Sequence, residues 1–350
     1  MELKKAVVLT ANLLNTSNAK TAHGLIRSSE RYKIVGVIDE VSQGQDAGVV
    51  LDGRERGIPV VPSVAAIKQL HPDVAYCIIG VATSGGILPE PMLTIIREAI
   101  QANISIVNGL HDYLNDRPDM VALAQEYGVE LIDVRRPKKR ADLHFWSGDI
   151  YTVKAPIIAM LGMDCGMGKR TTTRFITEAC QKANINAQMI YTGQTGWLQG
   201  GKYGFIFDST LNDFISGELE HAIVTCYQET NADVILLEGQ SSLRNPTGPC
   251  GSEYLVSANA KRVILVHAPK RIFFHEELDW GKIPSVESEI ELIKMYGSEV
   301  IALALNTGDC TREEAFEYQQ YYEAKLGIPV LLPLEEGVEK IVPLLKNLTD

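Results

Sequence analysis

The sequence has no closely paired cysteines, no apolar run of membrane length and a deficit of positive charge. Its six cysteines, Cys77, Cys165, Cys180, Cys226, Cys250 and Cys310, are scattered without a C-x-x-C among them. That spacing excludes a zinc ribbon or a disulfide framework and predicts reduced thiols. No stretch approaches the roughly 20 apolar residues that a membrane helix needs. The run Ala6–Leu9, behind Met1-Glu2-Leu3-Lys4-Lys5, is too short for the core of a signal peptide. The expectation is a cytoplasmic protein. Thirty-three Lys and Arg against 44 Asp and Glu give a net charge of −11, which speaks against a broad nucleic-acid footprint. With 45% hydrophobic and 22% charged residues the composition is that of a globular chain, and 350 residues suggest about two domains.

The first part alternates short apolar runs with helical patterns. Ala6–Leu9, Ile34–Ile38, Ile58–Val61, Val74–Ile79 and Ile104–Val107 read as strands, with Ala19–Ser28 and Pro91–Ala102 helix-patterned and Tyr127–Val134 closing the series. Strands separated by helices predict a parallel sheet covered on both faces. The basic run Arg135–Arg140 and the patternless stretch to Lys154 read as a linker, giving domains 1–145 and 146–350. A second series follows: Ile157–Leu161, Ala187–Tyr191, Val234–Leu237, Val263–His267, Val300–Leu305 and Val330–Leu332, with an amphipathic helix over Leu211–Cys226. The fold class is α/β, a Rossmann-like domain followed by a P-loop NTPase-like domain.

In the first domain the layout is that of a dinucleotide fold without its fingerprint. Asp39 ends the second strand, where an acid would bind a ribose hydroxyl. However, the loop after the first strand, Thr10-Ala11-Asn12-Leu13-Leu14-Asn15-Thr16-Ser17, has no glycine. Its backbone therefore cannot approach a pyrophosphate in the usual way, and Asp39 reads more simply as the end of a strand.

The second domain opens on the strongest motif. Strand Ile157–Leu161 runs into Gly162, Met163, Asp164, Cys165, Gly166, Met167, Gly168, Lys169, Arg170 and Thr171, followed by a helical pattern. Glycines let backbone N–H groups wrap a phosphate, the helix N-terminus adds its dipole, and Lys169 supplies a counter-charge. Five residues separate Gly162 from Gly168, one more than in the common P-loop, and Arg170 stands where the Mg²⁺-binding hydroxyl belongs. Phosphate is expected here, and Mg²⁺ is left open. Two further strand-end loops carry Gln194 in Thr192-Gly193-Gln194-Thr195-Gly196 and Gln240 in Glu238-Gly239-Gln240. In an open α/β sheet such loops border the ligand. Glu238 occupies the place of a metal-holding or proton-accepting carboxylate, and Asp213 is a second candidate base at the start of the amphipathic helix.

At these motifs the chain resembles the P-loop family of D-glutamate N-acetyltransferase-like proteins. The resemblance includes Ala19-Lys20-Thr21-Ala22-His23-Gly24, Gly109-Leu110-His111, Gly162-Met163-Asp164-Cys165, Gly168-Lys169-Arg170-Thr171, Thr192–Gly196, Asp213-Phe214 and Glu238–Gln240. Met163 stands in place of the family's Thr, and Ser241 in place of a Gly. The second half is also similar to dethiobiotin synthetase, whose adenine-contacting Asn matches Asn306. The first resemblance implies acetyl transfer from acetyl-CoA to a D-amino acid such as D-glutamate, with CoA phosphates on the P-loop. The second implies an ATP-dependent ligase or kinase, and a nucleotide-responsive binding module is a third, non-enzymatic reading. Arg244 and Arg271 are candidates for gripping an acidic co-substrate, His267 is a further candidate base, and Cys165 a candidate thiolate. The expected partner is a small molecule, not nucleic acid or membrane, with self-association left open.

Overall fold

The computed structural model describes residues 3–349, so Met1, Glu2 and Asp350 lie outside it. The chain divides into two compact units. The first comprises residues 1–137 and 194–201, the second 138–193 and 202–350. The division at 137/138 falls inside the linker expected over 135–154, ahead of the domain bound drawn at 145/146, and a short segment from the middle of the chain belongs to the first unit.

The first unit is built on β1 (Lys4–Leu9), β2 (Tyr32–Ile38), β3 (Val60–Val61), β4 (Tyr76–Ile79), β5 (Ser105–Asn108) and β6 (Leu131–Asp133). These form a parallel sheet in the order β3-β2-β1-β4-β5-β6. Its helices are α1 (Lys20–Arg27), α2 (Ala47–Asp52), α3 (Val64–Leu70), α4 (Glu90–Gln101) and α5 (Pro118–Tyr127). Strands with near-continuous apolar runs, such as Ala6–Leu9 at 0% exposure, are what a sheet buried on both faces requires. The run expected to close this half is in fact the end of α5 followed by β6. The left-handed Gly128 caps the helix between them.

The second unit holds β7 (Ile157–Gly162), β8 (Ala187–Tyr191), β9 (Tyr203–Gly204), β10 (Val234–Glu238), β11 (Arg262–His267), β12 (Glu299–Leu305) and β13 (Val330–Leu331). They pair in parallel in the order β13-β12-β11-β7-β10-β8-β9. Its helices are α6 (Lys169–Lys182), α8 (Asn212–Thr230), α9 (Ser252–Leu255), α10 (Val286–Met295), α11 (Arg312–Leu326) and α12 (Val342–Thr349), while α7 (Gln194–Leu198) is part of the first unit. Strand β7 lies centrally between β10 and β11, so the loops after all three converge at the carboxyl edge. In α8 the expected apolar face is buried from Phe214 to Cys226, but Leu211 precedes the helix and is exposed.

The same helix explains the boundary. Glu218 accepts from Lys138 Nζ (2.6 Å), from His144 N (3.0 Å) and from the His144 ring (2.8 Å). Glu220 accepts from the backbone of Ser147, Gly148 and Ile150. Two buried acids therefore fasten residues 138–150 to α8, and a stretch without hydrophobic periodicity is ordered by hydrogen bonds. No helix among the described residues is long and apolar enough to cross a membrane.

Candidate functional site

The P-loop takes the form its glycines predict. Gly166 and Gly168 have φ of +65° and +94°, the left-handed region that side chains avoid, and α6 starts at Lys169. Arg170 and Thr171 follow in its first turn, both half-buried. Lys169 is 6% exposed. Its ammonium donates to the carbonyls of Asp164 (2.7 Å) and Ser241 (2.8 Å), pinning the P-loop to the loop after β10. Its aliphatic stem explains two glycines. A Cβ on Gly162 would lie 2.9 Å from Lys169 Cδ, and one on Gly239 would lie 2.0 Å from Met160 O and 3.3 Å from the same Cδ.

Glu238, the last residue of β10, is 5% exposed. Its carboxylate accepts from Thr192 N at 3.1 Å and from the Gly193 amide. Burial pushes its pKa above the usual carboxylate value, against the opposing pull of Arg170, the two backbone donors and Lys169. A buried acid of raised proton affinity beside two cations is a group poised to exchange a proton. Thr192 completes the corner. Its hydroxyl donates to Glu238 O (2.6 Å) and accepts from Gln240 Nε2 (3.1 Å). Asn306 is also close by, its Nδ2 3.9 Å from where a Cβ on Gly168 would stand.

Other candidates have different positions. Asp164 is fully buried and spends its oxygens on protein donors: Asn245 Nδ2 (2.8 Å), His275 N (2.7 Å) and Arg271 Nη1 (3.3 Å). It therefore braces the P-loop. Arg271, offered as a grip for an acidic substrate, also donates to Cys165 O at 2.7 Å, and Arg244 is committed to Glu289 (2.7 Å) and Ser288 (2.7 Å) of α10. Cys165 is half-buried with its Sγ 3.8 Å from Asn245 Nδ2. His267 is packed under Tyr322, its Nε2 3.0 Å from the phenol oxygen, and burial lowers its pKa to about 4. Asp213 is exposed in the first turn of α8.

Gln194 lies in the first unit. Leu198 of its helix is fully buried in that unit's core, the Gln199 amide donates to the carbonyls of Gly24 (2.9 Å) and Ser28 (3.0 Å), and Arg31 stacks 4.0 Å over Trp197. There Asp39 also gains its reason. Its carboxylate accepts from Thr10 Oγ1 (2.7 Å), Leu14 N (3.1 Å) and Ser42 N (3.0 Å). It closes the glycine-free loop on itself and leaves no arrangement suited to a ribose.

Asp164, Cys165 and His275 bring three potential metal ligands within 4.8 Å of one another. They do not fit a cation, because the Asp164 oxygens already accept three hydrogen bonds and the Arg271 guanidinium lies against them.

Asn245 and His275 escape the sequence reading, as do the contacts made by Thr192 and by the Ser241 carbonyl. Their partners are 46 to 111 residues away in the chain, and no local spacing signals such pairs.

Two family profiles cover most of the chain: a Rossmann-like domain of unknown function, DUF1611_N, over residues 40–137 and a P-loop domain of unknown function, DUF1611_C, over residues 144–342. The chain belongs to this DUF1611 family. It is 32% identical over 272 residues to a D-glutamate N-acetyltransferase of Pseudoalteromonas sp, covering 76% of this chain and 79% of that protein. A protein of the same name from Tritonibacter scottomollicae is 28% identical over the same coverage. The crystal structure of a DUF1611 family protein from Anabaena variabilis superposes with a TM-score of 0.89 at 28% identity, over 98% of this chain and 99% of that one.

Proposed function

We propose that this member of the family is an N-acetyltransferase that moves an acetyl group from acetyl-CoA to the amine of an acidic D-amino acid, D-glutamate in the first instance. The relatives' names supply the reaction class. The observation that carries the reading is Arg170, the residue after the P-loop lysine, beside a buried Glu238. Phosphoryl transfer needs a hydroxyl at that position to hold Mg²⁺. A guanidinium there instead suits a pyrophosphate that is bound and not cleaved.

The residues fit the phosphates of CoA. Gly166 and Gly168 leave the loop without side chains where a phosphate would rest, and Lys169 would exchange its two carbonyl partners for phosphate oxygens. Asn306, whose Nδ2 is near Gly168, would meet the adenine. CoA supplies the acetyl group as a thioester. Transfer forms a C–N bond and breaks a C–S bond, and the departing thiolate takes up a proton. Glu238 takes the proton that the ammonium of the acceptor must lose. Gln240, on the same loop, would use the amide hydrogen it does not give to Thr192 to donate to the thioester oxygen. Both roles require the pantetheine arm to fold back toward the P-loop.

Calorimetric titration of the full chain with CoA, ATP and GTP, beside an acetyl-transfer assay in excess EDTA, tests this. CoA should bind, transfer should persist without metal, and Lys169→Ala should lower CoA affinity at least about tenfold, since charge-assisted hydrogen bonds are lost. Strict Mg²⁺ dependence with consumption of ATP would give the case to a ligase or kinase.

A further inference from the structure

The loop after β10 is fastened at both ends and unsatisfied between them. At its start, a Cβ on Gly239 would stand 2.0 Å from the Met160 carbonyl oxygen, so the chain lies tight against β7. Further on, the Ser242 carbonyl accepts from the amides of Asn245 (3.4 Å) and Cys250 (2.9 Å). Ser241, between these anchors, has φ +37°, a conformation that costs a residue with a side chain free energy. Its hydroxyl and that of Ser242, a residue 3% exposed, are buried without a hydrogen-bond partner among the described residues. Native structures seldom leave buried hydroxyls empty, and here two stand side by side.

The strained residue is tied to the P-loop, because its carbonyl accepts from Lys169 Nζ at 2.8 Å. That bond depends on what else stands beside the lysine. A phosphate on the P-loop would compete for the same ammonium. Its negative charge would also repel a carbonyl oxygen and attract a hydroxyl donor. Rotation of Ser241 about its own backbone bonds answers both demands. It takes the residue out of the left-handed region and swings the carbonyl off Lys169, while the fastened ends of the loop keep the movement local.

We propose that Ser241 and Ser242 are phosphate-binding residues that engage only when the P-loop is filled, with Ser241 as the hinge and its carbonyl, resting on Lys169, as the latch of the empty state. The two hydroxyls then gain in phosphate oxygens the partners they lack. The switch rests on the reading of Gly162–Thr171 as a phosphate site, and serves the phosphates of CoA and of ATP alike. The full chain is titrated calorimetrically with CoA, ATP and inorganic pyrophosphate, which separates the two sources from the phosphates alone. Hydrogen exchange at the amides of Ser241 and Ser242 is followed with and without each. A ligand that binds should change their exchange rates about fivefold or more. Ser242→Ala should weaken that ligand about fivefold, yet the melting temperature of the empty variant should not fall, since the hydroxyl has no partner to lose. If none of the three binds, the phosphate reading and the switch fall together. If a ligand binds, the phosphate reading stands and the switch requires both responses: unchanged exchange in the loop, or an unchanged affinity in Ser242→Ala, overturns it.

Discussion

Glu238 shows how a single residue couples the chemistry of the site to the stability of the fold. Burial raises its proton affinity, while Arg170, Lys169 and the Thr192 and Gly193 amides favour the charged form. Because the folded pKa lies above the unfolded one, the native state binds more protons between the two values. Glu238 therefore favours folding below the ordinary carboxylate range, and that contribution is lost as pH rises through the folded value. Glu238→Gln keeps an acceptor for the backbone amides but cannot ionise. Melting temperatures measured between about pH 4 and pH 8 should lose the part of their decline on the alkaline side that Glu238 causes. Turnover should drop by about two to four orders of magnitude with CoA affinity kept. Full activity in this variant would remove Glu238 from the reaction. Lys169 carries a similar double load: its burial and its two carbonyl bonds make it a structural tie as well as a counter-charge, a part that its place in the motif does not reveal.

Among the elements, the loop after β10 contains a local conflict. Ser241 has φ +37°, where a glycine would be unstrained. Its hydroxyl is buried without a hydrogen-bond partner among the described residues, although its carbonyl holds Lys169. Ser241→Gly should relieve both and raise stability by about 1 kcal/mol, whereas Ser241→Val should lower it, as thermal unfolding would report. The sequence marks this loop as important without indicating its conformation. It displays the P-loop itself well, because phosphate cradles are built from neighbouring residues whose spacing is local. It also displays the strands, whose apolar runs answer to a sheet covered on both faces. It hides what long-range partners decide. Asp164 reads as a ligand-binding residue of the motif but is consumed by Asn245, His275 and Arg271. Arg244 and Arg271 read as substrate grips and are internal ties.

At the scale of the whole molecule, the chain order and the order of packing disagree. The chain enters the second unit at Lys138, leaves it after Gly193 and returns at Lys202. The excursion is held in the first unit by Leu198 in its core, by the two hydrogen bonds of Gln199, and by Gly200, where a Cβ would lie 2.9 Å from Glu30 Cβ. A cut at either 137/138 or 145/146 therefore separates α7 from its partners. Burial of a leucine is worth about 1.5–3 kcal/mol, so a fragment starting at Lys138 should expose an apolar helix and associate in sedimentation experiments. Replacing residues 194–201 with a Gly/Ser linker of equal length should restore a monomer and leave the P-loop strands intact. In the full chain, hydrogen exchange should show the amides of this segment opening with the first unit, because Leu198 and Gln199 are anchored to it. A monomeric fragment from 138 whose 194–201 amides keep their protection would mean that the second unit holds this helix by itself.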